Sequence, residues 1–142
     1  IDIQKNHHSD VMTELADCGA VIVGSATHNN NVLPGIADVL TYMKGLRPLN
    51  RVGAAFGSYG WSGESPKIIQ EWLASMNMDM PADPVKCLFV PKHEGLSQCV
   101  ALGKTVAEAL KALMFRGKPS GFPPPSRSGG ESNARGIARK RS

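Results

Sequence analysis

The sequence predicts an α/β fold on a parallel sheet, and three features lead to that expectation. Three segments are short, β-branched and almost wholly apolar, as strands buried on both faces are. Amphipathic helical stripes lie before, between and after them. The elements therefore alternate helix and strand, which calls for parallel pairing through right-handed crossovers.

The first element is a short helix over 9–17 (SDVMTELAD), with Ser9 as its N-cap and Asp10 in the first turn. The first strand follows at 19–26 (GAVIVGSA). Over 33–45, Leu33, Ile36, Ala37, Leu40 and Met43 recur at helical spacing. The second strand is 51–58 (RVGAAFGS), and the next helix is 64–76, striped by Ile68, Ile69, Trp72, Leu73 and Met76. The third strand is 84–91 (PVKCLFVP). A last helix over 95–114 carries Leu96, Val100, Val106, Leu110 and Leu113 in an alanine-rich run of high helix propensity.

From residue 116 the pattern stops. Residues 116–142 hold fourteen Gly, Pro or Ser among 27 and seven Lys/Arg against one acid. Such a segment cannot bury enough surface to offset its ordering entropy, so it reads as a basic, disordered tail after a domain at 1–115. The chain's net charge of +4 belongs to that tail, because residues 1–115 hold nine Lys/Arg against eleven Asp/Glu. A basic body built for nucleic acid is thereby excluded, and only residues 127–141 offer a weak, salt-dependent alternative.

The three cysteines, Cys18, Cys87 and Cys99, form no CxxC pair, which argues against a disulfide framework and for a reducing compartment such as the cytoplasm. No stretch approaches the roughly 18 apolar residues of a membrane span. The chain opens on Ile1 rather than Met, which suggests a piece of a longer protein or a processed form.

In parallel sheets, ligands sit outside the carboxyl ends of the strands. That places two loops at the centre of interest, 25–34 (SATHNNNVLP) and 57–65 (GSYGWSGES). They offer Ser25, Thr27, His28, Asn29, Asn30, Ser58, Tyr59, Trp61 and glycines at 57, 60 and 63. Hydroxyls, amides and glycine-exposed backbone suit a neutral, planar, hydrogen-bonding ligand, and a flat aromatic beside them suits stacking. Trp61 has two readings: packing back over the helix start as a staple, or lining a ligand site.

Other motifs fare worse. GKT at 103–105 lacks the glycine that a phosphate-binding loop needs at position 98, which is Gln98, and sits inside a helical stripe. His7 and His8 have no acidic or Cys partners at metal-like spacing. His93 and Glu94 follow a strand end, where they could cap the last helix. No G-x-S-x-G elbow accompanies Ser58 and His93. No catalytic residue and no metal ligand is therefore assigned.

The motifs S-x-T-x-N-N (Ser25, Thr27, Asn29, Asn30), T-Y-x-K-G-L-R-P (Thr41 to Pro48) and F-G-S-Y-G-W-S-G (Phe56 to Gly63) closely resemble one family. It is the C-terminal flavodoxin-like domain of flavodiiron proteins, the A-type flavoproteins of the rubredoxin:oxygen oxidoreductase kind. The resemblance covers roughly residues 9–114. It implies a three-layer αβα fold with the first two strands absent, and a site for FMN. Ser25, Thr27, His28, Asn29, Asn30, Ser58, Tyr59, Gly60, Trp61 and Gly63 would then flank the flavin ring. The family's T-x-T-G-x-T phosphate loop and its diiron domain have no counterpart here.

In the flavodoxin-like order 2-1-3-4-5, the strand at 19–26 would pair with the absent first strand, so an exposed apolar edge is expected. The resemblance further implies electron transfer from rubredoxin or a flavin reductase through FMN to a diiron site that reduces oxygen or nitric oxide. It also implies a homo-oligomeric parent protein. The competing expectation is a truncated, non-catalytic remnant that binds no cofactor.

Overall fold

The computed structural model describes residues 1–116, so the expectations for residues 117–142, a disordered tail and nucleic-acid association among them, lie outside the described residues. The element order is α1 His8–Asp17, β1 Ala20–Gly24, α2 Pro34–Leu46, β2 Val52–Tyr59, α3 Ser65–Ser75, β3 Val85–Leu88 and α4 His93–Arg116. The three strands form one parallel sheet in the order β1-β2-β3. Ala20 lies opposite Val52, and Phe56 opposite Val85.

Alternation along β2 sorts the molecule into three layers. Ala55 faces the larger core, which Leu15 of α1, Ile36, Val39, Leu40 and Met43 of α2, and Ile69 and Leu73 of α3 complete. Val52 and Ala54 point the other way, onto Leu102 and Val106 of α4. Leu40, Met43, Ile69 and Leu73 are fully buried; cutting any one to Ala would cost about 2–5 kcal/mol. Arg51 completes the closure of α1, its guanidinium donating to the carbonyl of Ala16 at 3.0 Å.

Two expectations are corrected. Ser9 is not the N-cap of α1: His7 is, its ring nitrogen accepting from the Ser9 amide while the His7 amide donates to the Asp10 carboxylate at 2.9 Å. The apolar runs are not all buried on both faces. β2 is, apart from Phe56 and its last residues, but β1 leaves Ile22 44% exposed and β3 is covered on only one side. The physical reason is cover: α4 packs on β2 and β3 rather than on β1, which leaves Ile22 without a helix over its face, and β3 has α4 on one face alone.

Candidate functional site

The loops after β1 and β2 meet at the carboxyl end of the sheet, and a small hydroxyl network holds them there. Ser25 is nearly buried; its hydroxyl donates to the Ala26 carbonyl and accepts from the Leu33 amide at 3.0 Å, closing its loop on itself. The Thr27 amide donates to the Ser58 carbonyl at 2.8 Å. The Thr27 hydroxyl donates to Ser65 Oγ at 2.9 Å, and Ser65 Oγ donates onward to the Ser25 carbonyl at 3.0 Å. Ser65, with no exposed surface, thus pins the first loop to the start of α3.

Beyond Thr27 the chain reverses tightly. His28 and Asn31 exchange backbone hydrogen bonds at 2.8 and 2.9 Å, with Asn29 (φ 49°) and Asn30 (φ 56°) between them. Positive φ at both central positions is what a primed turn demands, and Asn tolerates it better than other non-glycine residues. The turn presents Asn30 Oδ1 to the second loop, where Ser62 Oγ donates to it at 3.1 Å. The two loops are therefore fastened tip to tip.

The second loop exposes what the first supports. Trp61 is 97% exposed, so the staple reading is overturned: the indole covers no helix start. Among the described residues, the backbone N–H groups of Gly60, Trp61, Ser62 and Gly63 find no acceptor. Gly63 gives room to the Tyr59 ring, which a Cβ there would meet at 3.2 Å. Glu64 stands at the α3 N-cap with one carboxylate oxygen buried and unpartnered among the described residues.

Beside and below these loops lies a cavity of about 690 Å³. Ser25, Ala26, Phe56, Ser58, Cys87 and Cys99 are among the residues lining it, and its walls are mainly apolar. A second hollow of about 480 Å³ adjoins it through Cys87 and Pro91 and takes in Tyr59. Of the expected site residues, Ser25 and Ser58 thus line the larger cavity and Tyr59 the smaller one. Thr27, His28, Asn29, Asn30, Gly60, Trp61 and Gly63 lie on the loops outside both.

The sequence reading missed the contribution of Phe56, Cys87 and the 89–92 loop. The carboxyl-end rule would have found that loop had it been applied to the third strand as well. Burial, together with the neighbouring Cys87 thiol, holds the Cys99 thiol above its ordinary value of 9.0. Among the described residues there is no group of three or more metal-ligating side chains, and no helix is long and apolar enough to cross a membrane.

No protein-family model matches the chain. It is similar to the rubredoxin-oxygen oxidoreductase of Megalodesulfovibrio gigas, 58% identical over 108 residues that make up 76% of this chain and 27% of that protein. It is 43% identical to the nitric oxide reductase of Moorella thermoacetica over 72% of this chain and 26% of that one. The chain thus spans about a quarter of the length of these curated relatives. Among solved structures, the rubredoxin oxygen:oxidoreductase from Desulfovibrio gigas aligns with a TM-score of 0.78 and 54% identity, over 79% of this chain and 28% of that one. A flavodoxin from the domain Archaea aligns with a TM-score of 0.66 and 36% identity, over 73% of this chain and 74% of that one.

Proposed function

This chain belongs to the flavodoxin-like family, as a homologue of the C-terminal flavodoxin-like region of flavodiiron proteins, and on that premise we propose that it holds the ring of FMN for electron transfer. The two fastened loops support this reading. They leave Trp61 97% exposed beside unpaired backbone donors, an arrangement with no use in the protein's own packing. A flat, amphipathic heterocycle with carbonyl and ring-nitrogen acceptors is the ligand that such an indole and such donors suit.

The fit favours the ring over the phosphate. The cavity-lining residues include no Lys, Arg or His, and they do include Asp2. An anionic tail therefore gains no charge-assisted bond from those residues, each of which is worth about 1.5–3 kcal/mol. When bound, FMN supplies the redox chemistry. The chain's part is to orient and shield the ring. Trp61 and Tyr59 would supply aromatic faces to hold it, and the free amides of Gly60 and Gly63 would supply donors. Asn29, Asn30, His28 and Ser58 edge it, while Ser25 and Thr27 hold the first loop in place.

Within a longer protein, the electrons would come from rubredoxin or a flavin reductase and go to a diiron site reducing oxygen or nitric oxide. The names of the two curated relatives support those choices of donor and acceptor. A cytoplasmic, homo-oligomeric parent completes the proposal. The test is to titrate the chain with FMN and with riboflavin, following flavin fluorescence and Trp quenching. Comparable micromolar affinity for both is expected. Failure of either flavin to bind at saturating concentration would overturn the proposal, and a large preference for FMN would refute ring-dominated binding.

A further inference from the structure

The Cys87 sulfur rests on the face of α4 where Gly95 has no side chain, since a Cβ at Gly95 would lie 2.8 Å from Sγ. Cys99 follows Gly95 by one helical turn and therefore shares its face. Both thiols are half-buried and free, and both line the 690 Å³ cavity. Cys87 is also the register partner of Ser58, so the pair sits where β2, β3 and α4 converge. A structural role as two small apolar fillers would not need a bare glycine turn to bring one sulfur onto the helix that carries the other.

We propose that Cys87 and Cys99 form a reversible dithiol–disulfide pair in the cavity wall, with a hydroperoxide as its oxidant and a small dithiol as its reductant. The Cys87 thiolate attacks the outer peroxide oxygen, the O–O bond breaks, and the departing alkoxide or hydroxide takes up a proton. Cys87 is then a sulfenic acid, two electrons having passed to the peroxide. Cys99 attacks that sulfur, the S–O bond breaks, and water leaves with the thiol proton. A reducing dithiol reverses the bond by thiol–disulfide exchange. Cys87 takes the first role because it also lines the second hollow beside Tyr59, whereas Cys99 lines the larger cavity alone. The closed disulfide would staple the first turns of α4 to β3 beside the cavity.

The test uses the full 142-residue chain, reduced, exposed to hydrogen peroxide, alkylated with N-ethylmaleimide and analysed by peptide mass spectrometry. Two of the three thiols should be lost, in one linked peptide pair containing Cys87 and Cys99, and dithiothreitol should restore both. Cys18, which is exposed, should remain available to the alkylating agent. In Cys99→Ser, Cys87 should stop at a sulfenic acid that dimedone traps. The proposal is overturned if Cys87 and Cys99 are both alkylated at a peroxide dose that oxidises Cys18. It is equally overturned if the linked species are dimers through Cys18. Cys18→Ser, which leaves the cavity untouched, repeats the thiol count without the competing group.

Discussion

Gly57 brings its bare Cα up to the Ser25 carbonyl so closely that a Cβ would lie 2.1 Å from that oxygen. The obstacle is a backbone carbonyl, so no rotamer change relieves it. It ties the middle of the sheet to the loop that follows β1, because the same carbonyl accepts from Ser65. Gly57→Ala should therefore cost about 3 kcal/mol or more, read from the urea midpoint. A stability within 1 kcal/mol of the parent would show that the loop yields easily.

Ser65 is the next test, because its hydroxyl serves two partners and has no exposed surface. Ser65→Ala removes the donor to Ser25 and the acceptor of the Thr27 hydroxyl, leaving both groups short of a partner. An unsatisfied buried group costs about 1–3 kcal/mol, so the midpoint should fall accordingly. Ser62→Ala makes the contrast: its bond to Asn30 is exposed, and stability should stay within about 0.5 kcal/mol.

These contrasts mark where sequence reading reaches and where it stops. The apolar run of β2 and the stripes of α2 and α3 are legible because their period is local and their burial agrees with it. Asn29 and Asn30 were legible as loop residues for the same reason: the tight reversal is a property of a few successive residues. Ser65 was not, since a serine after Glu64 reads as an ordinary helix start until Ser25, forty residues away, is placed against it. An apolar strand likewise cannot announce which helix will cover each of its faces, which is why Ile22 read as buried on both. His7 as a cap was missed because the ring nitrogen does work usually done by a hydroxyl or carboxylate.

Trp61 should separate stability from binding. Being 97% exposed, it contributes almost nothing to the core, so Trp61→Ala should leave the unfolding midpoint unchanged. If the indole stacks on a flavin ring, the lost aromatic pair is worth about 0.5–1.5 kcal/mol. That corresponds to a roughly 2- to 12-fold rise in the dissociation constant for riboflavin. Unchanged affinity would remove Trp61 from the site while leaving the fold as described.

Cys99 gives the fold a pH dependence whose sign is fixed. Its thiol ionises at higher pH in the folded chain than in the unfolded one, first because it is buried and then because Cys87 faces it. The folded state therefore keeps the proton over a range in which the unfolded state has lost it. Its contribution is full below the ordinary thiol value of 9.0 and is lost as pH rises through the higher folded value. Urea midpoints for the reduced chain should thus fall from about pH 8 to about pH 11, and part of that fall should vanish in Cys99→Ser. Lys and Tyr titrations contribute to both proteins equally, so the difference between the two slopes reports Cys99 together with its coupling to Cys87. Identical slopes would mean that Cys99 ionises in the folded chain as freely as it does in the unfolded one.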